Sequence, residues 1–324
     1  MLPPPKPPLA PAPKLILPAG CDEVLHLMGS TNLAEFLDYA CENADPSVQG
    51  SGAVSGNSQM DLAEAWRDAA MTYEGLMQTE AYPTEALDVY PLPDSMRAHC
   101  EQFLARPQVQ REFNRVPVAF GMVPLAHLIA AQDRLNVGTV TSVGIGTGAI
   151  SDASLIQICL PLDAPHHTLE VLHKDTDSVT FAADNHDIRF LRPQLLSGLV
   201  ENMSNRGHVQ RTLALPVGFS INVLNVVRFQ NRLILNNGYH RAFALWRRGV
   251  THVPAVIQVC RHWEDVGLVG SSEIYENGAL YIDRQRPPLL KDFVNRNLCM
   301  TFAVRRQRKY LRIRFQVETG YLAM

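Results

Sequence analysis

The sequence lacks most of the short motifs by which enzymes are recognised. It contains no Gly-x-Ser-x-Gly nucleophile elbow, no Walker A loop, no kinase catalytic loop and no His-Glu-x-x-His zinc motif. It also has no run of eighteen apolar residues, so we expect no membrane span. The formal net charge is only −3, which argues against non-specific nucleic-acid binding by the whole molecule.

Paired cysteine motifs are absent as well. The six cysteines are scattered and form no Cys-x-x-Cys pair; they are Cys21, Cys41, Cys100, Cys159, Cys260 and Cys299. Separated thiols in a chain of 324 residues indicate a reducing, cytoplasmic environment, in which cysteines act as small buried apolar residues. The same length allows one large domain or two smaller ones.

The first 115 residues change from proline-rich to helical and acidic. Residues 1–18 predict an extended, disordered tail, and residues 19–115 predict an acidic helical region with a flexible loop at 44–60. Apolar spacing predicts four helices, with Ser30 or Thr31 as the N-cap of the second: Asp22–Met28, Asn32–Asn43, Asp61–Glu80 and Asp94–Ala105. Up to Arg115 the chain holds sixteen acidic and seven basic residues, a net charge of −9.

The middle of the chain predicts strands interrupted by loops. The predicted elements are a strand at Pro117–Val123, a helical turn at Leu128–Arg134, a mobile glycine-rich loop at 138–148, strands at 154–161 and 168–181, and a helix at Arg189–Met203. The histidines here lack metal-ligand spacing, so no metal site is predicted. Asp184 and Asp187 are candidate general bases because a phosphoryl-transfer site needs a carboxylate; the alternative is a turn built from Asx side chains.

The most informative stretch is Asn236–Arg241. It follows a predicted hairpin, Ile221–Phe229 and Arg232–Leu235, and opens a predicted helix, His240–Arg248, that ends at Gly249 before a strand at Val253–Val259. The first N–H groups of a helix attract anions, Gly238 lets the backbone approach a ligand, and Arg241 can add a bidentate contact. The alternative is a structural turn in which His240 caps locally and Arg241 pairs with a carboxylate.

These residues resemble the signature segment of the ParB/sulfiredoxin superfamily. The resemblance covers about forty residues, through Gly249 and Val253–Val256, and has a weaker counterpart at Val123–Ile129. It implies an α+β fold with a mixed sheet and short helices over residues 116–324, with an insertion at about 138–215 and basic C-terminal strands. It also implies a binding site for the phosphates of a nucleotide, with Mg²⁺, formed by Asn236, Asn237, Gly238, Tyr239, His240 and Arg241.

Two departures from the family pattern narrow the function. Tyr239 stands where sulfiredoxins have their reactive cysteine, so sulfinic-acid repair is not expected. No helix-turn-helix pattern follows residue 260, unlike in chromosome-partitioning ParB proteins.

The segment 284–314 is strongly basic. It holds ten Lys and Arg residues against Asp292, a net charge of +9, and leads into a predicted strand, Leu311–Glu318, with Leu311, Ile313, Phe315 and Val317 inward. In one interpretation it binds a polyanion through Arg305, Arg306, Arg308 and Lys309. In the other, which we favour, it packs against the acidic region within the chain or between subunits of a homo-oligomer.

Three functions therefore compete. The first is binding of a nucleotide or phosphorylated small molecule at Asn236–Arg241, with hydrolysis or transfer of phosphate left open. The second is a DNA-binding or nuclease-type protein that uses the basic surface, and the third is a non-catalytic protein-interaction module.

Overall fold

The computed structural model describes residues 17, 19–44, 59–83, 89–143, 145–146, 148–163, 167–191, 193–198, 208–266 and 278–322. The predicted proline-rich tail, apart from Leu17, and most of the predicted loop at 44–60 lie outside these residues. The architecture is mixed, with helices and several sheets, which agrees with the predicted α+β class. No described helix is long and apolar enough to cross a bilayer.

The chain divides into two compact units. Unit 1 consists of Met1–Asp163 and Asn222–Arg306, and unit 2 of Ala164–Ile221 and Gln307–Met324. The acidic helical region and the strands around Asn236–Arg241 therefore share unit 1. Much of the predicted insertion, together with the last strand, forms unit 2.

Unit 1 contains a five-stranded mixed sheet. Its strands are β2 (Val118–Pro124), β3 (Ile129–Ala130), β11 (Asn225–Phe229), β12 (Arg232–Asn237) and β13 (His252–Cys260). Their order across the sheet is β2-β13-β11-β12-β3. β11 and β12 form an antiparallel hairpin, and β13 lies parallel to β11. Most of β13 is buried, as expected for an apolar strand near the middle of a sheet.

The predicted hairpin and following helix are confirmed. The turn falls at Gln230 and Asn231, and Gln230 has a positive φ of 51°. The helix α7 spans Tyr239–Arg247 and buries Ala242, Phe243 and Leu245. Gly249, with φ 79°, follows its end, which is the usual position of a left-handed glycine after a helix.

A second sheet of unit 1 corrects the prediction for Asp22–Met28. This segment is the strand β1 (Cys21–Leu27), and it lies between β14 (Cys299–Arg305) and β4 (Arg134–Asn136). The predicted helix was wrong. The apolar spacing of this short segment fits a helix or a strand, and the pairing of all seven residues of β1 with β14 decides for the strand.

The helices α1 (Leu33–Asn43) and α2 (Gln59–Thr79) share an apolar core with this second sheet. The cluster includes Val24 of β1, Phe36 of α1, Leu62 of α2 and Phe302 of β14. The N-cap of α1 is Asn32, whose Oδ1 accepts a hydrogen bond from Ala34 N at 2.8 Å, and not Ser30 or Thr31. The other described helices of unit 1 besides α7 are α3 (Asp94–Leu104), α4 (Pro107–Glu112), α5 (Val137–Ser142), α6 (Asp152–Cys159) and α8 (Gly278–Ile282).

Three further predictions for unit 1 require correction. The segment 154–161 belongs mostly to α6, because Ser151 caps a helix there by accepting from Ser154 N at 3.2 Å. Part of the glycine-rich stretch 138–148 is the helix α5, capped by Asn136. Leu128–Arg134 is not a helical turn, since the 3-10 turn lies earlier, at Leu125–His127, and β3 follows it.

Unit 2 consists of small antiparallel sheets. Its strands are β5 (Glu170–Lys174), β6 (Ser178–Ala183), β7 (Ile188–Phe190), β8 (Gln194–Ser197), β9 (Arg211–Ala214), β10 (Val217–Phe219) and β15 (Lys309–Arg314). The predicted strand at 168–181 corresponds to β5 and most of β6. The described part of the predicted helix Arg189–Met203 is extended instead, because cross-strand pairing with β9 and β10 decides its conformation. In the last strand Leu311 and Ile313 are half-buried, whereas Phe315 and Val317 are exposed and lie beyond its end.

Candidate functional site

Gly238 connects β12 to α7 in a left-handed conformation. Its φ is 92°, and its carbonyl accepts the first helical hydrogen bond from Ala242 N at 2.9 Å. A Cβ at this position would lie 3.0 Å from both Leu224 Cα and Val223 O. The close approach of the chain's own backbone therefore favours glycine here, and the first N–H groups of α7 have no partner within the helix.

Tyr239 is buried and has a structural role. Its hydroxyl donates to Leu235 O at 2.5 Å and accepts from Ala131 N at 2.7 Å. Burial raises the pKa of this phenol far above its ordinary value, so it stays protonated. Tyr239 thus ties α7 to β12 and to the residue after β3.

Arg241 points into unit 1, and only 8% of its surface is exposed. Its Nη1 donates to Cys159 O at 3.1 Å and to Asn222 O at 3.0 Å, while Nη2 donates to Asn222 Oδ1. Burial lowers the pKa of the guanidinium, but not enough to neutralise an arginine. Within the described ranges its partners are these neutral oxygens, and no carboxylate pairs with it.

The other predicted ligands lie at the partly exposed edge of the turn. Asn236 donates from Nδ2 to Asn225 Oδ1 at 2.7 Å, and Asn237 Oδ1 accepts from Gly238 N at 2.7 Å. His240 Nε2 accepts from Asn136 N at 3.4 Å. Asn236, Asn237, Gly238 and His240 are all half-buried, so a ligand could reach this edge without opening the fold.

The predicted general bases are not part of this turn. Asp184 and Asp187 belong to unit 2. Asp184 is highly exposed and pairs with Arg308 at 2.9 Å, and Asp187 pairs with Arg189 and accepts from Ser220 N at 2.9 Å. The alternative, a turn built from Asx side chains, agrees with the contacts of Asp187: its carboxylate accepts from a main-chain N–H, and its own N–H donates to Asn185 Oδ1. No cluster of three potential metal ligands occurs among the described residues.

The basic surface is divided between the units, and much of it is paired. Arg305 and Arg306 end unit 1, and Arg308 and Lys309 begin the last part of unit 2. Arg306 pairs with Asp22 at 2.9 Å, Arg308 with Glu170 at 2.7 Å, and Lys309 donates to His186 O at 3.0 Å. Arg305 is exposed.

A buried ion cluster joins the basic segment to the acidic helical region. Arg286, 1% exposed, contacts Asp292 through two hydrogen bonds of 2.6 and 3.0 Å and donates from Nε to Glu80 at 3.0 Å. Lys291 donates to the same Glu80 oxygen at 2.9 Å. Glu80 follows α2, so these contacts agree with the favoured interpretation of the opposite charges. The sequence gives no signal for the individual pairs, because Glu80 and Arg286 are 206 residues apart.

Two cavities lie away from the turn. One, of about 170 Å³, is lined by Glu80, Tyr82, His127, Leu289 and Lys291 among others. The other, of about 360 Å³, is lined by Phe229, Trp263, Gly278, Ile282 and Asp283. A ligand at Asn236–Arg241 would therefore rest on a partly exposed edge of the fold and outside both cavities.

Comparison with protein-family models, with curated proteins and with solved structures finds no match to this chain. The ParB/sulfiredoxin resemblance accordingly stays a prediction that rests on the residues of the turn.

Proposed function

We propose that this protein binds the phosphate of a nucleotide or of another phosphorylated small molecule at Asn236–Arg241. The observation that carries the proposal is the buried charge of Arg241 at the start of α7, whose partners among the described residues are neutral oxygens. Removing an ion from water costs several kcal/mol, and hydrogen bonds donated to neutral oxygens offset only part of that cost. An anion near the turn would compensate the charge.

In this proposal Arg241 does not bind the ligand directly. Its donors point to Cys159 and Asn222, so it contributes a fixed positive potential and not a direct contact. The positive end of the α7 dipole adds to the same potential. We propose that His240 and the main-chain N–H groups at the start of α7 face the phosphate, with Mg²⁺ as a companion of a nucleotide ligand.

The contacts of the basic surface do not favour nucleic-acid binding as a second proposed function. Arg306 and Arg308 both have acidic partners, which reduces the charge available to a nucleic-acid backbone. We propose action in the cytoplasm because all six cysteines are free thiols.

Thermal-shift measurements with ATP, ADP, CTP, GTP and pyrophosphate, with and without Mg²⁺, test the proposal. A ligand that binds the native state raises its apparent stability, by about 2.7 kcal/mol at a hundredfold excess over Kd. We expect at least one compound to raise Tm in a saturable way. If none of them binds, the phosphate site is refuted and a protein-interaction role is favoured.

Two variants and a control test whether the ligand binds at the turn. Arg241→Met keeps an unbranched apolar stem but removes the buried charge, and we expect Kd to rise about tenfold or more. His240→Ala should weaken binding while leaving Arg241 in place. Arg247→Met, at the last residue of α7, is the matched control that removes an arginine from the same helix. Unchanged affinity in folded Arg241→Met and in His240→Ala protein would contradict the proposal.

A further inference from the structure

His26 of β1 is a buried titratable residue that the proposed phosphate site does not use. Its side chain is 1% exposed. Its two ring nitrogens face oxygens, since Nδ1 lies 2.8 Å from Leu27 O and Nε2 lies 3.5 Å from Asp133 Oδ2. Three aromatic rings surround it with centroids 5.0 to 6.1 Å away, those of Phe36, Tyr39 and Phe302. A buried imidazole with an oxygen near each nitrogen is a candidate for proton binding that depends on its surroundings.

The two oxygens fix the tautomer of the neutral His26 ring. Leu27 O is a carbonyl oxygen and can only accept, so Nδ1 carries the proton and Nε2 presents a lone pair. That lone pair faces the carboxylate of Asp133, whose side chain is 15% exposed. The distance of 3.5 Å is longer than the roughly 2.7–2.9 Å of a charge-assisted hydrogen bond. One proton added at Nε2 would convert this repulsive contact into a hydrogen-bonded ion pair.

Two charged residues affect the protonation of His26. Burial lowers the pKa of the imidazole most strongly, the Asp133 carboxylate and the Leu27 carbonyl raise it, and Arg134 lowers it. Arg134 lies opposite His26 in the pairing of β1 with β4, and it donates to Asp133 Oδ1 at 3.0 Å, not to the oxygen that faces the ring. His26 is therefore neutral near neutral pH and takes up its proton below its ordinary pKa of about 6.5.

The remaining titratable neighbours of the ring are neutral or paired. Burial raises the pKa of the Tyr39 phenol and that of the Cys299 thiol, so both groups stay protonated. Asp292 lies on the 3-10 turn Leu290–Val294, which also packs against β1, and its carboxylate is bound by Arg286. The protonation of the ring therefore depends on its contact with the carboxylate at Nε2.

Residues 131–136, which include that carboxylate, connect the ring to the start of α7. Ala131 N donates to the Tyr239 hydroxyl at 2.7 Å, and Asn136 N donates to His240 Nε2 at 3.4 Å. The two ends of the segment are thus attached to consecutive residues of the turn that carries the proposed phosphate site. We therefore expect a displacement in the middle of the segment, where the carboxylate lies, to alter both contacts.

We propose that His26 and Asp133 form a pH-sensitive switch for the start of α7. A proton from solvent binds to Nε2 of His26, and the new N–H group donates to Asp133 Oδ2, which shortens the distance of 3.5 Å to that of a charge-assisted hydrogen bond. Residues 131–136 move with the carboxylate and change the contacts with Tyr239 and His240. The switch is a property of the fold, and only its effect on ligand binding rests on the proposed function.

NMR spectroscopy of the full chain tests the switch. Side-chain ¹H–¹⁵N spectra report the tautomer and protonation of His26, whose signals are identified by their loss in His26→Asn protein. We expect the Nδ1–H tautomer at neutral pH and a single titration between the ordinary pKa values of histidine and aspartate, about 6.5 and 3.9. The main-chain amide signals of Ala131 and Asn136 should shift with the same midpoint.

Two charge-matched variants separate the His26 contact from general electrostatics. Asp133→Asn removes the carboxylate that faces the ring, and the proton affinity of His26 should fall about tenfold or more. Asp38→Asn removes the same charge from an exposed position of α1, next to Tyr39, and should leave the midpoint unchanged. In each protein the amide shifts of residues 131 and 136 should follow the midpoint of His26.

Four NMR results would each overturn the switch. They are a proton on Nε2 of His26 at neutral pH, no titration of His26 in this range, the same midpoint in Asp133→Asn protein, and titration to which Ala131 and Asn136 do not respond.

The effect on the turn is measured with pyrophosphate. The ratio of the Kd values of His26→Asn and wild-type protein cancels the protonation of the ligand itself, and it should change with pH at the midpoint of His26. A constant ratio would overturn the switch as a regulator of ligand binding. If pyrophosphate binds neither protein, the result counts against the proposed function, and the NMR titration still decides whether the switch exists.

Discussion

At the scale of single residues, Gly238 has a conformation and surroundings that favour glycine over any residue with a Cβ. Its φ of 92° strains such a residue, and the two atoms nearest to the added Cβ, Leu224 Cα and Val223 O, both belong to the backbone. Because β12 and α7 meet here, the strain would act on the turn that carries the proposed site.

We therefore predict that Gly238→Ala lowers the free energy of unfolding by about 1–3 kcal/mol. The matched control is Gly75→Ala in α2, where a Cβ has no neighbour within 4 Å and φ is not positive. That substitution should raise stability by about 0.5–1 kcal/mol, since alanine is the better helix former. Urea denaturation followed by circular dichroism measures both values. Equal shifts in the two variants would contradict the assignment of a strained turn.

Much of this turn could be predicted from sequence, and the direction of one side chain could not. The residues of the hairpin, the glycine and the start of the helix all have local signals, and their positions agree with the structure. The burial of Arg241 depends on Cys159 and Asn222, which are 82 and 19 residues away. An arginine at a helix start is compatible with either direction until those contacts are known.

At the scale of elements, the ion cluster around Arg286 connects the segment after α8 to the end of α2. Tyr73 of α2 donates to Arg286 O at 2.5 Å, and Asp292 Oδ2 also accepts from Leu289 N at 2.9 Å. The cluster thus holds a helix to a segment that has little regular structure of its own.

We predict that Asp292→Asn lowers the free energy of unfolding by about 3–5 kcal/mol, because it leaves a buried guanidinium with half of its compensation. Asp283→Asn, at an exposed position of the same segment, should change stability by about 0.5 kcal/mol or less. Denaturant midpoints of the two variants provide the comparison. A small effect of Asp292→Asn would show that the negative charge of Asp292 contributes little to stability.

Glu80 makes the same cluster sensitive to acid. Burial raises the pKa of this carboxyl, but hydrogen bonds from Lys291 and Arg286 and their charges outweigh it and lower the pKa below its ordinary range. A lowered folded-state pKa means that Glu80 contributes stability above its unfolded pKa of about 4.3 and loses it as the pH falls through the folded value.

The advantage of the wild type over Glu80→Gln should therefore be constant near neutral pH and shrink below about pH 4.3. Unfolding free energies measured across this range in both proteins test the prediction. If the two curves of unfolding free energy against pH stay parallel through this range, the contacts with Lys291 and Arg286 do not lower the pKa of Glu80.

Elements were predicted correctly where local and tertiary preferences agree. The helices α1, α2 and α3 and the hairpin follow apolar spacing and cap or turn residues. β1 and β8 were predicted as helix because strand pairing with β14 and β9, far along the chain, decides their conformation. Short amphipathic segments of this kind carry no local information about a distant partner strand.

At the scale of the whole molecule, the two units differ in how much apolar surface they bury. The described buried residues of unit 2 are few: Thr180, Ala182, Ala183 and Ile188. Among the described residues, the exposed large apolar side chains other than Met60 and Met71 all belong to unit 2, including the cross-strand pair Leu195 and Leu213. Because burial of apolar surface drives folding, unit 2 has the smaller reserve of stability.

This difference predicts the pattern of hydrogen exchange. Amides of β8 and β9 should exchange through local opening that costs much less than global unfolding, since a two-stranded sheet with exposed leucines is marginal alone. Amides of β11 and β13, which lie inside the five-stranded sheet, should require the largest opening free energy. Exchange followed by mass spectrometry at peptide resolution measures both in one sample. Equal protection of β9 and β13 would mean that unit 2 gains stability from contacts other than its own core, and that its exposed leucines are covered in solution.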